Sequence, residues 1–519
     1  MNKQKLESIK NEYAAKVSEK QAAYDAKYNG DFFKKQVRLA LRNTDVIDPT
    51  SVGEYIARDG YFGLEKALSM KPEEIIAVIN ESGQRGRGGA GFPTGKKWQF
   101  VREARNDQKY VVCNADEGDP GAFMDRAILE GDPHSVLEAM IIAGYAVGAS
   151  KGYIYVRAEY PKAVENLETA IKQARELGLL GKNIFDVKFD FDLELRLGAG
   201  AFVCGEETAL LSSLEGKRGE PHPKPPFPAT SGFLKKPTLI NNVETLCAIP
   251  MIILKGAEYW NKIGTEQSKG TKVFALAGNV VNSGLVEVPM GTTLKTLVYE
   301  IGGGCPPREG GARKPLAVQV GGPSGGCIPE SMFNIGLDYE SVRSAGAILG
   351  SGGLIVMDDK TCMVDIAKFF IKFSVDESCG KCVPCRVGNR KLLNILEKIS
   401  LGKGTEADIN ELVNLGNIIM DTSLCGLGQS SPNPVISTIT HFRSDYTDHC
   451  SGRCRAGVCK NLLKYTINKK CVGCGLCKRA CPAEAITGDV RAPHTIDLEK
   501  CIKCGKCFAA CKLNAIDRN

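Results

Sequence analysis

Fifteen of the 21 cysteines lie beyond residue 378, and two groups of four repeat one spacing. Cys471-Val-Gly-Cys474-Gly-Leu-Cys477-Lys-Arg-Ala-Cys481 and Cys501-Ile-Lys-Cys504-Gly-Lys-Cys507-Phe-Ala-Ala-Cys511 both read C-x2-C-x2-C-x3-C. In that run three thiolates wrap one [4Fe-4S] cubane and the fourth ligates a neighbouring one. The expected sets are therefore Cys471, Cys474, Cys477 and Cys511 around one cluster, and Cys501, Cys504, Cys507 and Cys481 around the second. Pro482 follows Cys481, whereas Lys512 follows Cys511, a small departure from the usual run. Structural zinc needs only four ligands and does not call for two copies of this spacing. Upstream, Cys379-Gly-Lys-Cys382-Val-Pro-Cys385 repeats C-x2-C-x2-C, and Cys425 is the one nearby candidate for a fourth ligand. The runs Leu392, Leu393, Ile395, Leu396, Ile399 and Leu412, Val413, Ile418, Ile419 predict two helices that return Cys425 to the loop. A third [4Fe-4S] cluster fits, although three close cysteines and a distant one also suit zinc. His449, Cys454 and Cys459 fall within eleven residues, a zinc-ligand spacing whose fourth member stays open.

The front half carries different chemistry. Gly86-Arg-Gly88-Gly89-Ala-Gly91 matches G-x-G-x-x-G letter for letter. A dinucleotide fingerprint needs a strand before it and a helix after it. Here Pro72 to Glu81 reads as a helix, and Phe92-Pro93-Thr94-Gly95 is not expected to open one cleanly. The standard dinucleotide fold is therefore rejected for this loop. It still suits a backbone that approaches a phosphate or flavin, with Lys96 or Lys97 as counter-charge. Tyr110, Val111 and Val112 predict a strand delivering Asn114 and the carboxylates of Asp116, Glu117 and Asp119. Leu197 to Leu210 runs from a glycine turn into a helix whose first turn holds Glu206 and Glu207, where acids suit the helix dipole. Pro223-Lys-Pro-Pro-Phe227-Pro and Leu239-Ile-Asn241-Asn242 are two more unusual strings.

The elements that must hold these groups need several domains, as 519 residues imply. With 43% hydrophobic and 24% charged residues the composition is globular. Apolar stretches such as Ala139 to Ser150 are shorter than the ~18 residues of a membrane span, so none is expected. The first thirty residues show no apolar signal region, and a cytoplasmic location is expected. Clustered cysteines in so large a chain point to metal rather than disulfides. Residues 441–519 hold 15 Lys and Arg against 7 Asp and Glu, which accounts for the chain's net +7. The basic excess belongs to one tail, so no nucleic-acid-binding face is expected. Leu6, Ile9, Tyr13 and Val17 form a helical stripe, read as a docking helix for a partner. Lys272 to Gly278 and Leu285 to Pro289 predict strands, and Val320 to Gly326 and Gly350 to Gly353 predict glycine turns.

In this order the motifs closely resemble the family of FMN- and NADH-binding subunits of respiratory complex I. The nearest resemblance is to the beta subunits of soluble electron-bifurcating NAD(P)-linked [FeFe]-hydrogenases and similar bifurcating complexes. It spans residues 37–519, including a ferredoxin-like tail that the complex I subunit lacks. The fold implied is α/β multidomain: a docking helix (1–36), an FMN/NAD(H)-binding α/β domain (37–268), a small β-grasp domain (269–352), a helical bundle with a [4Fe-4S] cluster (353–440), a Cys/His zinc linker (441–463) and a two-[4Fe-4S] ferredoxin domain (464–519). The resemblance implies FMN held by the Gly86, Gly88 loop, Lys97, Asn114 and Asp116, with Phe202, Gly205, Glu206, Asn241 and Asn242 closing the site. Glu117 is implied as the catalytic residue that positions the nicotinamide, with Asp119 where complex I enzymes often carry Glu. Phe92, Phe100 and Phe227 are implied near the nucleotide, and Glu207 at the adenosine ribose, where a carboxylate favours NAD over a 2′-phosphate. Cys362 is implied as the fourth zinc ligand, ahead of Cys450 and His441.

The cofactors implied are FMN, NAD(H), three [4Fe-4S] clusters and one Zn2+. The function implied is hydride exchange between NAD(H) and FMN, and single-electron exchange with the clusters, in a complex bifurcating electrons between NAD(H), low-potential ferredoxin and a third partner. A linear NADH dehydrogenase subunit, or an electron-transfer subunit with a lapsed flavin site, are the alternatives. No cysteine precedes Cys113, so the [2Fe-2S] domain of hydrogenase-type relatives is not expected here. A separate small [2Fe-2S] subunit and a further catalytic redox subunit are therefore the expected partners, beside ferredoxin.

Overall fold

The computed structural model describes residues 1–308 and 311–518. Its centre is a four-stranded, all-parallel sheet built from β1 (Tyr110–Ala115), β2 (Lys151–Arg157), β3 (Asp192–Gly198) and β4 (Thr238–Asn242) in the order β3-β2-β1-β4. Parallel strands need crossovers, and helices such as Pro133–Val147 and Pro161–Glu176 supply them. Val111, Val112 and Cys113 are wholly buried, as an inner parallel strand covered on both faces requires. The chain leaves β1 on one side for β2 and β3, then returns to β1's other side as β4. The strand order therefore reverses around β1. In open α/β sheets the crevice at the carboxyl ends of such strands is where ligands bind. Register sets Asn114 opposite Asn242 and Cys113 opposite Asn241 at those ends.

The glycine loop lies between two helices, Pro72–Glu81 and Thr94–Glu103, with an isolated bridge from Arg85 to Pro93. No strand precedes it, so the rejected dinucleotide fold stays rejected. The helix after it is a correction: Pro93 takes the N-cap position (φ −58, ψ 120), and the helix opens cleanly at Thr94. A proline just before the first helical turn costs nothing, because its missing N–H would have no intrahelical partner there.

A second, mixed sheet follows, of β5 (Thr271–Gly278), β6 (Gly284–Pro289), β7 (Pro315–Val320), β8 (Gly326–Pro329) and β9 (Gly353–Asp358), ordered β6-β5-β9-β7-β8. One face of it has a core of its own, with Phe274, Leu276, Val286 and Val288, whereas Val273 and Ala275 of β5 belong to the core of the first sheet. Two buried polar joints tie the sheets together. Lys272 on β5 donates to the Glu244 carboxylate, which also accepts from the Val273 N–H at 2.8 Å. Glu287 on β6 accepts from the N–H groups of Leu39, Ala40 and Leu41, each at 2.9 Å. The N-terminal helix Lys3–Lys27 differs from expectation: its stripe turns inward. Leu6 and Val17 are buried, and Tyr13 packs so closely on the helix Val52–Ala57 that a Cβ on Gly53 would come within 2.6 Å of it. An apolar stripe satisfied by its own chain is not free to dock a partner.

Helices Met363–Asp376, Asn389–Ser400, Glu406–Thr422 and Asn433–Cys450 pack around Leu392, Leu396, Ile399, Ile409, Leu412, Ile419 and Val435. Thr405 and Asp408 close a reciprocal cap on the third of these. Ile418, expected in the stripe, is instead 57% exposed. The last helix continues past the expected boundary at residue 440, with a kink at Phe442. The tail repeats one unit twice: short helices Leu476–Ala480 and Lys506–Ala510, with β10 (Tyr465–Ile467) paired to β13 (Ile516–Arg518) and β11 (Ile486–Thr487) to β12 (Thr495–Ile496).

Replacing Lys272 by Met leaves Glu244 buried without its cation, which costs about 3–5 kcal/mol. Thermal unfolding of the holoprotein should show that loss for Lys272→Met, and recovery of part of it in a Glu244→Gln, Lys272→Met double variant.

Candidate functional site

The carboxyl ends of β1 and β4 gather most of the flavin residues expected from sequence. Asn241 accepts from the Trp98 indole N–H at 3.0 Å, which fixes its amide. Asn242 caps the helix Val243–Cys247 and donates to Asp125, and a Cβ on Gly88 would lie 3.0 Å from its own Cβ. That approach is why glycine stands in the loop at this point. Asn114 donates to the Gly205 carbonyl at 2.9 Å, and its Oδ1 accepts from the Asp116 N–H at 3.1 Å. Asp116 pairs through Oδ1 with Arg157 at 3.0 Å, while its buried Oδ2 has no protein partner. Burial pushes its carboxyl up to about 7 against the pull of Arg157. A buried acceptor without a donor fits a ring N–H of a flavin, and the Lys97 ammonium, 3.2 Å from the Ile240 carbonyl, fits a nearby phosphate.

The acids divide by role. Glu117 accepts from the N–H groups of Met124 (2.8 Å), Asp125 (3.2 Å) and Arg126 (3.1 Å), so its carboxylate caps the helix Met124–Gly131, and the Tyr160 hydroxyl holds its carbonyl at 2.5 Å. Its side chain is thereby fixed rather than free to swing. Asp119 accepts from Ser351 of the second sheet's domain at 2.5 Å, and burial pushes it up to about 6. Glu206 caps its helix through the N–H groups of Thr208 and Ala209, as the dipole argument requires. Glu207 meets Lys224 at 2.6 Å and Lys97 at 3.7 Å, and these two cations hold it below the usual carboxylate range despite its burial. Phe92, Phe100 and Phe227 are 44%, 49% and 55% exposed at the mouth, with the first two rings 6.5 Å apart, an open aromatic surface for a nucleobase. Phe202 does not join them. Its ring meets Phe373 at 5.2 Å and its N–H donates to Glu377 at 2.9 Å, both at the helical bundle.

That turn, Phe202–Gly205, has the residues expected at the flavin on one side and cysteines on the other. Cys379 and Leu427 pack on the apolar cluster of Val203, Cys204 and Leu210, and Arg218 donates to the Cys379 carbonyl at 2.7 Å. The two predicted helices do return Cys425: burial first, then the charge of Cys382, Cys425 and Cys379, pushes Cys385 up to about 11. In the tail one cavity is lined by Cys471, Cys474, Cys477 and Cys511, and another by Cys481, Cys501, Cys504 and Cys507. Matching backbone N–H groups, Ala485 to Cys481 Sγ at 3.3 Å and Ala515 to Cys511 Sγ at 3.2 Å, serve the crossing ligand of each half. Four thiols facing one cavity, with an N–H on a sulfur, is the donor set of a cubane.

Cys362, His449, Cys454 and Cys459 are all buried, with ligand atoms within 4.8 Å of one another. Cys362 Sγ lies 3.7 Å from Cys459 Sγ and 3.4 Å from His449 Nε2, and His449 Nε2 lies 3.2 Å from Cys459 Sγ. A tetrahedron with Zn–S bonds of about 2.3 Å has edges of about 3.8 Å, which these spacings approach. His449 Nδ1 is turned to the Asp445 carbonyl at 2.5 Å, the outer contact that orients a metal-ligating imidazole. Neither Cys450 nor His441 joins the group.

Sequence reasoning missed Arg157, Lys224 and Asp125. Lys224 stood inside a string already singled out, and Arg157 ends β2 beside β1, a position the switch-point rule would have flagged. Asp125 carries no local signal.

Residues 79–251 match the Nuo51 FMN-binding domain. NADP-reducing hydrogenase subunit HndC of Solidesulfovibrio fructosivorans is 58% identical over 463 residues, 89% of this chain and 94% of HndC. The chain belongs to the Nuo51 FMN-binding family. Residues 365–449 match the NADH-ubiquinone oxidoreductase-F iron-sulfur binding region and residues 463–512 a 4Fe-4S dicluster domain. The F 2 subunit of the NADH-quinone oxidoreductase of Rhizobium meliloti is 45% identical over 80% of this chain and 98% of its own length. The crystal structure of an NAD+-reducing [NiFe]-hydrogenase in the H2-reduced state superposes with TM-score 0.70 at 36% identity, covering 80% of this chain and 67% of that one. This Nuo51-family chain is thus an oxidoreductase subunit of the FMN and iron–sulfur type, and no helix among its described residues is long and apolar enough to cross a membrane.

Burial raises the pKa of Glu117 to about 7 and that of neighbouring Asp125 well above the carboxylate range, with the charge of Glu117 adding to the shift of Asp125. Both hold protons more tightly folded than unfolded. Their stabilisation is complete below the ordinary value near 4.5 and is lost as pH rises through about 7. The unfolding temperature of the flavin-free protein should therefore fall from about pH 5 to about pH 8, and fall less steeply in Asp125→Asn. Equal slopes would remove the coupled pair from the account.

Proposed function

We propose that the chain is the pyridine-nucleotide-oxidising or -reducing subunit of a flavin-based electron-bifurcating complex, coupling NAD(H) to low-potential ferredoxin and a third redox partner. One observation carries the flavin half of this reading: the turn Phe202–Gly205 touches both the Asn114 amide and the Cys379 loop, so the flavin pocket and a cysteine cluster share one short segment. FMN, when bound, supplies the conversion between a hydride's two electrons and single electrons. The chain's own residues do the rest. The Gly86 to Gly91 loop and Lys97 receive the phosphate, Asn114 and Asp116 the ring edge, and Asn241 and Asn242 the floor. Glu117, fixed by three N–H groups, shapes the nicotinamide side, and Phe92, Phe100 and Phe227 offer stacking to the adenine. Glu207 takes the adenosine ribose. Its two lysines soften the preference for NAD(H) that a lone carboxylate would impose, in keeping with a relative named for reducing NADP.

Domain boundaries at residues 36, 268, 352, 440 and 463 belong to the same proposal, with the second sheet, whose topology β6-β5-β9-β7-β8 supports it, as the β-grasp unit. Three [4Fe-4S] clusters and one Zn2+ complete the inventory. The zinc site of Cys362, His449, Cys454 and Cys459 fastens the start of the bundle to the segment that leads into the tail. A cluster beside the flavin gives one route for electrons; two more on the tail give a second, which a plain dehydrogenase subunit does not need. A small [2Fe-2S] subunit and a further catalytic redox subunit complete the complex.

Two measurements test this. Cys425→Ala should remove about four of about twelve irons per chain while the tail clusters and one zinc remain. Unchanged iron would mean another fourth ligand. In the intact complex, NAD turnover should require ferredoxin and the third partner together in matched electron amounts. A chain ending at Tyr465 should lose ferredoxin coupling and keep NADH reduction of FMN. Full-rate NAD reduction with ferredoxin alone would leave a linear wire as the function.

A further inference from the structure

Among the described residues, no ion pair involves a side chain beyond Arg455. Yet residues 464–518 carry eleven Lys and Arg against five Asp and Glu. This unneutralised charge is divided unevenly between the two cysteine pockets of the tail. Lys469 and Lys470 precede Cys471, Lys478 and Arg479 follow Cys477, Lys512 follows Cys511, and Arg491 donates its backbone N–H to Gly473 at 3.1 Å. Asp489 and Asp517 are the carboxylates on that side. Around the other pocket are Lys464, Lys500, Lys503, Lys506 and Arg518, the last paired in register with Tyr465, against Glu484, Asp497 and Glu499. An oxidised cubane with four thiolates adds about −2 to each, leaving the first pocket at about +2 and the second at about 0. One end of the tail is positive and the other close to neutral.

The path of the chain orders them as well. The segment arriving from the zinc group reaches the second pocket first: Tyr465 lines that cavity, Lys503 donates to the Asn461 carbonyl, and a Cβ on Gly505 would lie 3.0 Å from the Tyr465 hydroxyl. The first pocket is lined by nothing before Ile467. Each cluster loop exposes an aliphatic side chain, Val472 at 58% and Ile502 at 56%, so apolar exposure does not choose between them. Charge and chain path do, and they agree.

We propose that the face around Cys471, Cys474, Cys477 and Cys511 is the docking surface for an acidic, ferredoxin-type one-electron carrier, and that the cluster of Cys481, Cys501, Cys504 and Cys507 is the inner relay. This rests on the reading that the tail exchanges electrons with ferredoxin. At each encounter one electron leaves the carrier's reduced cluster and enters the outer one, or the reverse. No bond forms or breaks and no proton moves. A negative carrier is drawn to the positive face more strongly than to the near-neutral one, and the pull is screened beyond about 10 Å at 0.1 M salt.

The test uses the full chain in its purified complex, with an acidic two-cluster bacterial ferredoxin as probe and stopped-flow cluster absorbance as readout. Lys469→Gln, Lys470→Gln, Lys478→Gln and Arg479→Gln together form the outer variant. Lys500→Gln, Lys503→Gln and Lys506→Gln form the inner one. The outer variant should lower the bimolecular rate about tenfold at low salt and flatten its salt dependence, whereas the inner one should change it less than about twofold. Iron content and NADH reduction of FMN, measured on the same samples, report whether either variant has lost its clusters or fold. A larger loss in the inner variant, or equal losses in both, overturns the assignment of the face while leaving ferredoxin as partner. Wild-type rates that ignore salt, with both variants unchanged, overturn the ferredoxin reading itself.

Discussion

The pairing of β1 with β4 is the constraint on which the rest of this molecule depends. It is parallel, and its register sets Asn114 against Asn242 at the carboxyl ends. A parallel pair cannot be closed by a hairpin, so the chain must cross over, and the crossover of β2 and β3 on the other side of β1 opens the crevice between them. The groups proposed to face the flavin hang from that crevice. Trp98 reaches Asn241 from the helix after the glycine loop, Gly88 lies against Asn242, and Gly205 takes the Asn114 amide. Shifting β4 by one residue would exchange the faces of Asn241 and Asn242 and break the contacts that Trp98 and Gly88 make with them.

Charge at the same place explains why the second sheet is attached where it is. Glu117, Asp125 and Glu244 are buried within a short stretch of structure, and Lys272 is the buried ammonium bonded to Glu244. Three carboxylates cannot all ionise there against one cation. The protein's answer is partly the N-terminus of the helix Met124–Gly131, whose N–H groups face Glu117, and partly a retained proton, as the raised values of Glu117 and Asp125 indicate. The remaining compensation comes from β5. The second sheet is thus not merely packed beside the flavin domain: its Lys272 and the backbone of Val273 complete the hydrogen bonding of Glu244, while Ser351 does the same for Asp119.

What could be read from sequence followed from how local each signal is. Cysteine spacing is local, and the tail pockets contain the four-residue sets that spacing alone implied, crossing ligand included. The return of Cys425 was legible because two consecutive amphipathic helices make a hairpin. The glycine loop was misread at one point, since Pro93 looked like a barrier to a helix and is its N-cap. The N-terminal stripe was seen, but periodicity says only that a face is apolar, not whether the chain itself covers it. Asp125 and Lys272 were illegible for a different reason. Their partners lie 117 and 28 residues away, and no pattern in the chain announces a pairing of that kind.

The same distinction separates the two ends of the electron path. Around the crevice proposed for the flavin, side-chain charges are paired: Asp116 with Arg157, Glu207 with Lys97 and Lys224, Glu244 with Lys272. Such pairing fixes geometry, which hydride transfer demands, because the donor and acceptor atoms must meet at a defined angle and distance. In the tail, Lys503 and Arg518 bond to backbone carbonyls of the linker, and among the described residues there no cation is paired with a carboxylate. Electron transfer between clusters requires approach but little angular precision, and an encounter surface works best when its charges are free to meet those of a partner. On the proposed function, the chain places its carboxylates against cations where atoms are transferred and withholds them where only electrons are.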